Sequence, residues 1–180
     1  MKVHFIIPYS ISKNLGVAYN EAMSLIPDED SICFTDGDAC FLTPDFGHII
    51  HEYATQHPNA VLTCYLNRIH PLAKGQLHPE MQSSDMAECL RYAERIKDVR
   101  AVTPISGSVS GTLMVIPKHI WKRFPFSEVN TYRTGEPNLL GCDNYFTNTI
   151  RANGVQVLRM DSILLYHQYR LITNSKQHLL

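Results

Sequence analysis

The sequence predicts an α/β fold, a sandwich of helices around a mostly parallel central sheet, and three observations lead there. Short β-rich runs alternate with stretches of helical period along most of the chain. The apolar run Ser31-Ile32-Cys33-Phe34-Thr35 stops abruptly at Asp36-Gly37-Asp38. In open α/β sheets, polar ligand-binding side chains sit beyond the carboxyl ends of buried strands in this way. Finally, 180 residues with a hydrophobic share of 44% and a charged share of 18% suit a single globular domain with a sizeable core. We assign that domain to residues 1–170 and treat 171–180, which has no cap and little pattern, as a tail.

Taken in order, Val3 to Ile7 is the first strand, closed by Pro8. Asn14 is a suitable N-cap for a helix whose apolar positions Leu15, Ala18, Tyr19, Ala22, Leu25 and Ile26 share one face. Pro27 and the solvated turn Asp28-Glu29-Asp30 end it, and the Ser31 strand follows. Thr43-Pro44 reads as N-cap and N1 of a second helix with Phe46, Ile49, Ile50 and Tyr53 inward, stopped by His57-Pro58-Asn59. Ala60 to Leu66 is a strand, and Asn67 to Ser84, which has no period, is a long functional or mobile loop. Asp85 with Glu88 opens a helix that turns Met86, Cys89, Leu90, Ala93 and Ile96 inward. Val99 to Thr103 and Thr112 to Ile116 are strands, the second preceded by Gly107 and Gly111. Pro117 begins a short helix carrying Trp121, here assigned to the core, and Pro125 to Asn138 is a surface loop. Leu139 to Asn153 is a helix with Cys142, Phe146 and Ile150 inward and Gly154 as its stop. Two short strands, Val155 to Leu158 and Ser162 to Tyr166, complete the fold, and the second runs into His167.

Composition narrows the partners. A formal net charge of -1 gives no electrostatic reason to expect nucleic acid. The five cysteines, Cys33, Cys40, Cys64, Cys89 and Cys142, include no Cys-X-X-Cys pair, which points to reduced thiols in the cytoplasm. No apolar run approaches the ~18 residues needed to cross a bilayer, so any membrane contact would be peripheral. Met1 to Pro8 is too short for a signal peptide. Nothing in the sequence sets the oligomeric state.

Burial does not account for Asp36 and Asp38, because an unpaired carboxylate is costly to enclose. Two acidic side chains beyond a strand end can hold a hard divalent cation, which can in turn bridge phosphate oxygens. Taken singly, each motif has a plainer explanation. Asp36-Gly37-Asp38 would be a solvated turn, Asp143 a helix cap, His167 a hydrogen-bonded core or rim histidine, and Gly107 and Gly111 turn residues.

Four motifs in this order resemble the family 2 glycosyltransferases of the GT-A fold. Asn14-Leu15-Gly16-Val17-Ala18-Tyr19-Asn20 is similar to the helix that precedes the family's metal strand. Asp36-Gly37-Asp38, trailed by Pro44, is similar to its Asp-X-Asp. Gly107 and the strand led by Gly111-Thr112 resemble the border of the acceptor site, and Gly141-Cys142-Asp143-Asn144 resembles the acidic start of the acceptor-side helix. Leu165-Tyr166-His167 is similar to the segment whose histidine completes the metal site. The resemblance spans about Val3 to Arg170.

It implies a GT-A-like three-layer sandwich and an inverting, metal-dependent glycosyltransferase in a short form. The cofactor would be a divalent cation, Mn²⁺ or Mg²⁺, and the donor a nucleoside-diphosphate sugar. The acceptor would be the hydroxyl of a glycan, a lipid-linked sugar or a glycoprotein. By the resemblance, Asp36, Asp38 and His167 form the metal site, while Pro8, Asn14, Asn20, Asp36 and Asp38 form the nucleotide-sugar site. Gly111, Thr112, Asp143 and Asn144 line the acceptor side, with Asp143 as the catalytic base. The chain departs from the family where only Tyr9 to Lys13 stands in place of a further strand and helix that carry the base-reading aspartate. A non-catalytic GT-A-like nucleotide- or metal-binding domain is therefore the first alternative. An Asp-X-Asp phosphatase is the second, although Cys40 stands where that family's motif has Thr or Val.

Overall fold

The computed structural model describes residues 1–11, 14–68, 71–129 and 141–168, with the backbone alone at 71, 72 and 74. The expected tail at 171–180 and most of the expected Pro125–Asn138 loop lie outside these residues, as do Lys13, His70, Leu139 and Arg170.

Seven strands and five helices are interspersed along the described residues. In chain order they are β1 (Val3–Ile6), α1 (Leu15–Leu25), β2 (Ser31–Thr35), β3 (Ala39–Phe41), α2 (Phe46–Gln56), β4 (Ala60–Leu66), α3 (Met86–Ile96), β5 (Val102–Pro104), β6 (Leu113–Pro117), α4 (Lys118–Arg123), α5 (Cys142–Ala152) and β7 (Gln156–His167). A short 3₁₀ segment, Pro71–Gln76, interrupts the expected long loop. Ala60–Leu66 falls where the sequence puts it, and its seven residues are all buried.

The sheet runs β1-β2-β6-β4-β7-β3, and β5 also pairs with β7. It is mixed, not mostly parallel as expected. The β1–β2 and β4–β7 pairs are parallel, while β2–β6, β4–β6, β3–β7 and β5–β7 are antiparallel. The expectation fails for two physical reasons. Leu113–Pro117 is buried on both faces, and such a run carries no mark of its direction. β3 follows β2 after only residues 36–38, too few for a crossover, so the chain must reverse there. The sheet also curls, because Phe5 of β1 meets Phe41 of β3 with ring centroids 6.1 Å apart although these strands end opposite edges.

β7 is one strand where two were expected. Cys64 pairs with Met160 but Tyr65 pairs with Leu164, so residues 161–163 bulge out of register. The bulge is held from both sides: Thr43 Oγ1 donates to the Ser162 carbonyl at 3.1 Å, and the Tyr53 hydroxyl lies 3.1 Å from Ser162 Oγ. Thr43 is therefore spent on β7, also accepting from Leu164 N, and α2 begins two residues later than expected, after Asp45.

Helices cover both faces. On one side α2 packs Ile49, Ile50 and Tyr53 onto Leu62, Cys64 and Leu113. On the other, Tyr19 and Met23 of α1 and Phe146 and Ile150 of α5 pack onto Phe34, Val61 and Met114. Asp85 caps α3 by accepting from Ala87 N and Glu88 N, as the sequence suggests. Met86 and Leu90, expected to face inward, are exposed, and Tyr92 takes the buried position instead. α5 begins after Gly141, whose φ of 92° favours glycine. No helix among the described residues is long and apolar enough to cross a membrane.

Candidate functional site

Asp36 directly follows β2, and its backbone N–H donates to the Thr112 carbonyl at 3.2 Å. A tight turn brings the chain from Asp36 to Ala39, which pairs with His167 at the end of β7. The Gln168 N–H then donates to the Asp38 carbonyl at 2.9 Å. Strand pairing thus carries His167 to the carboxylates across more than a hundred residues of sequence. His167 Nε2 lies 3.3 Å from Asp38 Oδ1 and 3.9 Å from Asp36 Oδ2. One ligand atom from each of the three residues lies within 4.8 Å of the other two.

The histidine is oriented for such a role. Its side chain is buried, and Nδ1 lies 3.2 Å from the Arg68 carbonyl. A carbonyl only accepts, so a hydrogen bond there takes its proton from Nδ1 and leaves Nε2 as the ring nitrogen that faces the carboxylates. The His167 backbone N–H donates to Asn67 Oδ1 at 2.7 Å, and the buried Asn67 amide donates on to the Ser83 carbonyl. Two carboxylates and one neutral imidazole suit a hard to borderline divalent cation. Burial raises the Asp36 carboxyl pKa, the Thr112 hydroxyl and His167 lower it, and Asp38 raises it again. A cation would relieve that cost.

Asp143 stands on the other side of Thr112. It is the second residue of α5, and Gly141, not Asp143, is the N-cap. Its Oδ2 accepts from Gly111 N at 2.7 Å and its Oδ1 from Asn144 N at 2.8 Å. Burial pushes its pKa up, these N–H groups pull it down, and Asp36 pushes it up again. Asn144 Oδ1 accepts from Val109 N at 3.2 Å, fastening the turn before β6 to α5. Thr112 is fully buried, with its hydroxyl 2.9 Å from Ser110 Oγ. Consecutive residues of one turn therefore hold both acids, Gly111 binding Asp143 and Thr112 binding Asp36.

The structure therefore gathers Asp36, Asp38 and His167 in one group and Gly111, Thr112, Asp143 and Asn144 in a second group joined to it. It treats the α1 motif differently. Asn14 caps α1 through Val17 N and donates to the Glu128 carbonyl. Asn20 Oδ1 accepts from Trp121 Nε1 and Phe126 N, while its amide donates to the Phe126 carbonyl and Glu128 Oε1. A Cβ on Gly16 would stand 2.0 Å from the Ser127 carbonyl oxygen. Asn14, Gly16 and Asn20 thus bind residues 126–128 to α1. Pro8 is partly buried beyond β1, and Ile7 beside it lies 3.7 Å from where a Gly37 Cβ would be.

Sequence reasoning missed Gln76. Its buried side chain accepts from Ser110 N at 2.7 Å and donates to Thr63 Oγ1 at 2.7 Å, pinning the turn that carries Gly111 and Thr112. A glutamine inside an aperiodic loop gives no signal of this. A surface cleft of about 670 Å³ at the start of α2 shares no residue with the site. No family model matches the chain, and no curated protein matches it.

Proposed function

We propose that this protein is a metal-dependent, inverting glycosyltransferase with a GT-A-like fold. It would move a sugar from a nucleoside diphosphate to an acceptor hydroxyl of a glycan, a lipid-linked sugar or a glycoprotein. The observation that carries this reading is the joint between two carboxylate sites, one with a histidine and one without, on the single turn Ser110–Thr112. Asp36, Asp38 and His167 would hold Mn²⁺ or Mg²⁺. Bound there, the cation supplies electrostatic stabilisation of the departing diphosphate. Asp143 takes the acceptor proton, and its partial burial suits a base because desolvation makes the carboxylate more basic. Gly111 N and Asn144 N fix the direction of that carboxylate. Attack from the Asp143 side and departure on the Asp38 side would invert the anomeric centre. The five thiols are free, in keeping with a reducing, cytoplasmic setting.

One observation favours a second reading, a non-catalytic domain of the same fold. Asn14 and Asn20, expected at the nucleotide, spend their amides on residues 126–128. Release of nucleoside diphosphate from UDP-, GDP- and dTDP-sugars separates the two. The transferase reading expects release with Mn²⁺, its loss in Asp38→Ala, and a roughly 10²–10⁴-fold slower rate in Asp143→Asn with donor binding retained. Donor binding without release from any sugar nucleotide, whatever the acceptor, would favour the non-catalytic domain.

A further inference from the structure

Tyr19 lies on the inner face of α1 and is 2% exposed. Its ring is clamped edge-on by Phe34, with centroids 4.6 Å apart, and stacks on Phe126 at 4.5 Å. The far end of this rigid side chain reaches the site. A Cβ placed on Gly111 would stand 2.9 Å from Tyr19 Oη and 3.4 Å from Asp143 Oδ2. The phenol and the carboxylate therefore converge on a space that only glycine leaves open.

The hydroxyl makes no hydrogen bond to any described residue. A tyrosine whose ring is so completely packed normally finds a partner for its O–H. Burial, Asp36 and Asp143 all favour the neutral phenol. With the negative charge of two carboxylates acting on it, a bound anion is disfavoured at this spot. A neutral hydroxyl is suited, because it accepts from the phenol and donates to a carboxylate.

We propose that Tyr19 contacts substrate by donating a hydrogen bond to a hydroxyl of the sugar held between Asp36 and Asp143. This rests on the glycosyltransferase reading and gives the site a residue that selects the sugar. Nothing in the spacing of α1 reveals it, because Tyr19 also satisfies the helical apolar period.

The test is calorimetric titration of UDP, GDP and dTDP, and of their sugar conjugates, with Mn²⁺ present, into wild type and Tyr19→Phe. The variant keeps the ring, and its thermal midpoint is expected to match wild type because no protein partner is lost. Affinity for the sugar nucleotide is expected to fall about three- to tenfold while affinity for the bare diphosphate is unchanged. In wild type, one monodeoxy sugar nucleotide is expected to bind more weakly than its parent, and in Tyr19→Phe that difference is expected to vanish. Equal binding of sugar nucleotides by the two proteins would overturn the Tyr19 assignment alone. A variant that fails to fold would overturn it too, by making the hydroxyl structural. If wild type binds no sugar nucleotide, the glycosyltransferase reading falls and the Tyr19 assignment with it.

Discussion

Replacing Gly16 with alanine separates packing from ligand binding in the Asn14–Asn20 segment. Gly16 is the second residue of α1, where alanine would ordinarily stabilise a helix by up to about 1 kcal/mol. Here the new Cβ would meet the Ser127 carbonyl oxygen at 2.0 Å and its carbon at 2.9 Å. Both are backbone atoms, so relief requires the chain at 126–128 to retreat by roughly 1 Å to an ordinary carbon–oxygen contact of about 3.3 Å. That movement loosens the bonds of Asn20 to Phe126 and of Asn14 to Glu128, each contributing about 0.5–1.5 kcal/mol. It also disturbs Phe126, which stacks on Tyr19 and Phe146, and overpacking of this kind costs about 1–3 kcal/mol. Set against the helix gain, the net loss is about 2–4 kcal/mol, or a fall in melting temperature of roughly 5–15 °C at this chain length. Gly47 is the matched control: it is also the second residue of its helix, α2, and its Cβ would meet nothing within 4 Å. Thermal and urea unfolding of Gly16→Ala and Gly47→Ala should therefore diverge, the first destabilised and the second neutral or stabilised. If both respond alike, the packing argument is refuted.

Asp143→Asn tests the acid–base assignment through stability. Burial raises the folded-state pKa of Asp143, so the native protein binds this proton more tightly than the unfolded chain does. The resulting stability is fully present below the ordinary carboxylate pKa and is lost as pH rises through the folded value. Wild type should therefore gain stability relative to Asp143→Asn between pH 7 and pH 4 in urea unfolding, and a constant difference would contradict the assignment. Gln76→Ala should cost about 2–4 kcal/mol, because it leaves Ser110 N without its acceptor and removes the donor to Thr63 Oγ1, which keeps only its own bond to the Leu113 carbonyl, and it should also weaken binding at Thr112 and Asp36. Unchanged metal or donor binding in that variant would remove Gln76 from the site's support. Lys118→Met should cost a similar amount, about 2–4 kcal/mol, since the buried ammonium binds the Met23, Ser24 and Ile26 carbonyls at the end of α1. That loss should appear in unfolding with metal affinity preserved.

The sequence revealed local features better than pairings. The Asn14 and Asp85 caps, the Ala60–Leu66 strand and the acidic turn after β2 were legible because each has a local cause. His167 was legible as a candidate from its place after an apolar run, yet its approach to Asp38 depends on the β3–β7 register, which no nearby residue encodes. Arg159 and Asp161 fall in the gap between the two strands expected at Val155–Leu158 and Ser162–Tyr166. In the structure they pair with each other at 2.8 Å beside a bulge, and the strand continues. Thr43 looked like a cap because threonine before proline usually is one, but its hydroxyl found Ser162 and Leu164 across the sheet. Gln76 and the Tyr19 hydroxyl were hidden for a shared reason, since each acts on residues that only tertiary packing brings near.

Thermal stabilisation by Mn²⁺ together with UDP, GDP or dTDP, in wild type and Asp38→Ala, tests the central claim most directly. A ligand that binds only the native state at a hundredfold excess over its Kd adds about 2.7 kcal/mol. The account predicts an upward shift with at least one nucleotide, dependent on the metal and absent in Asp38→Ala. A shift that persists in Asp38→Ala, or none with any nucleotide at millimolar Mn²⁺, would contradict it.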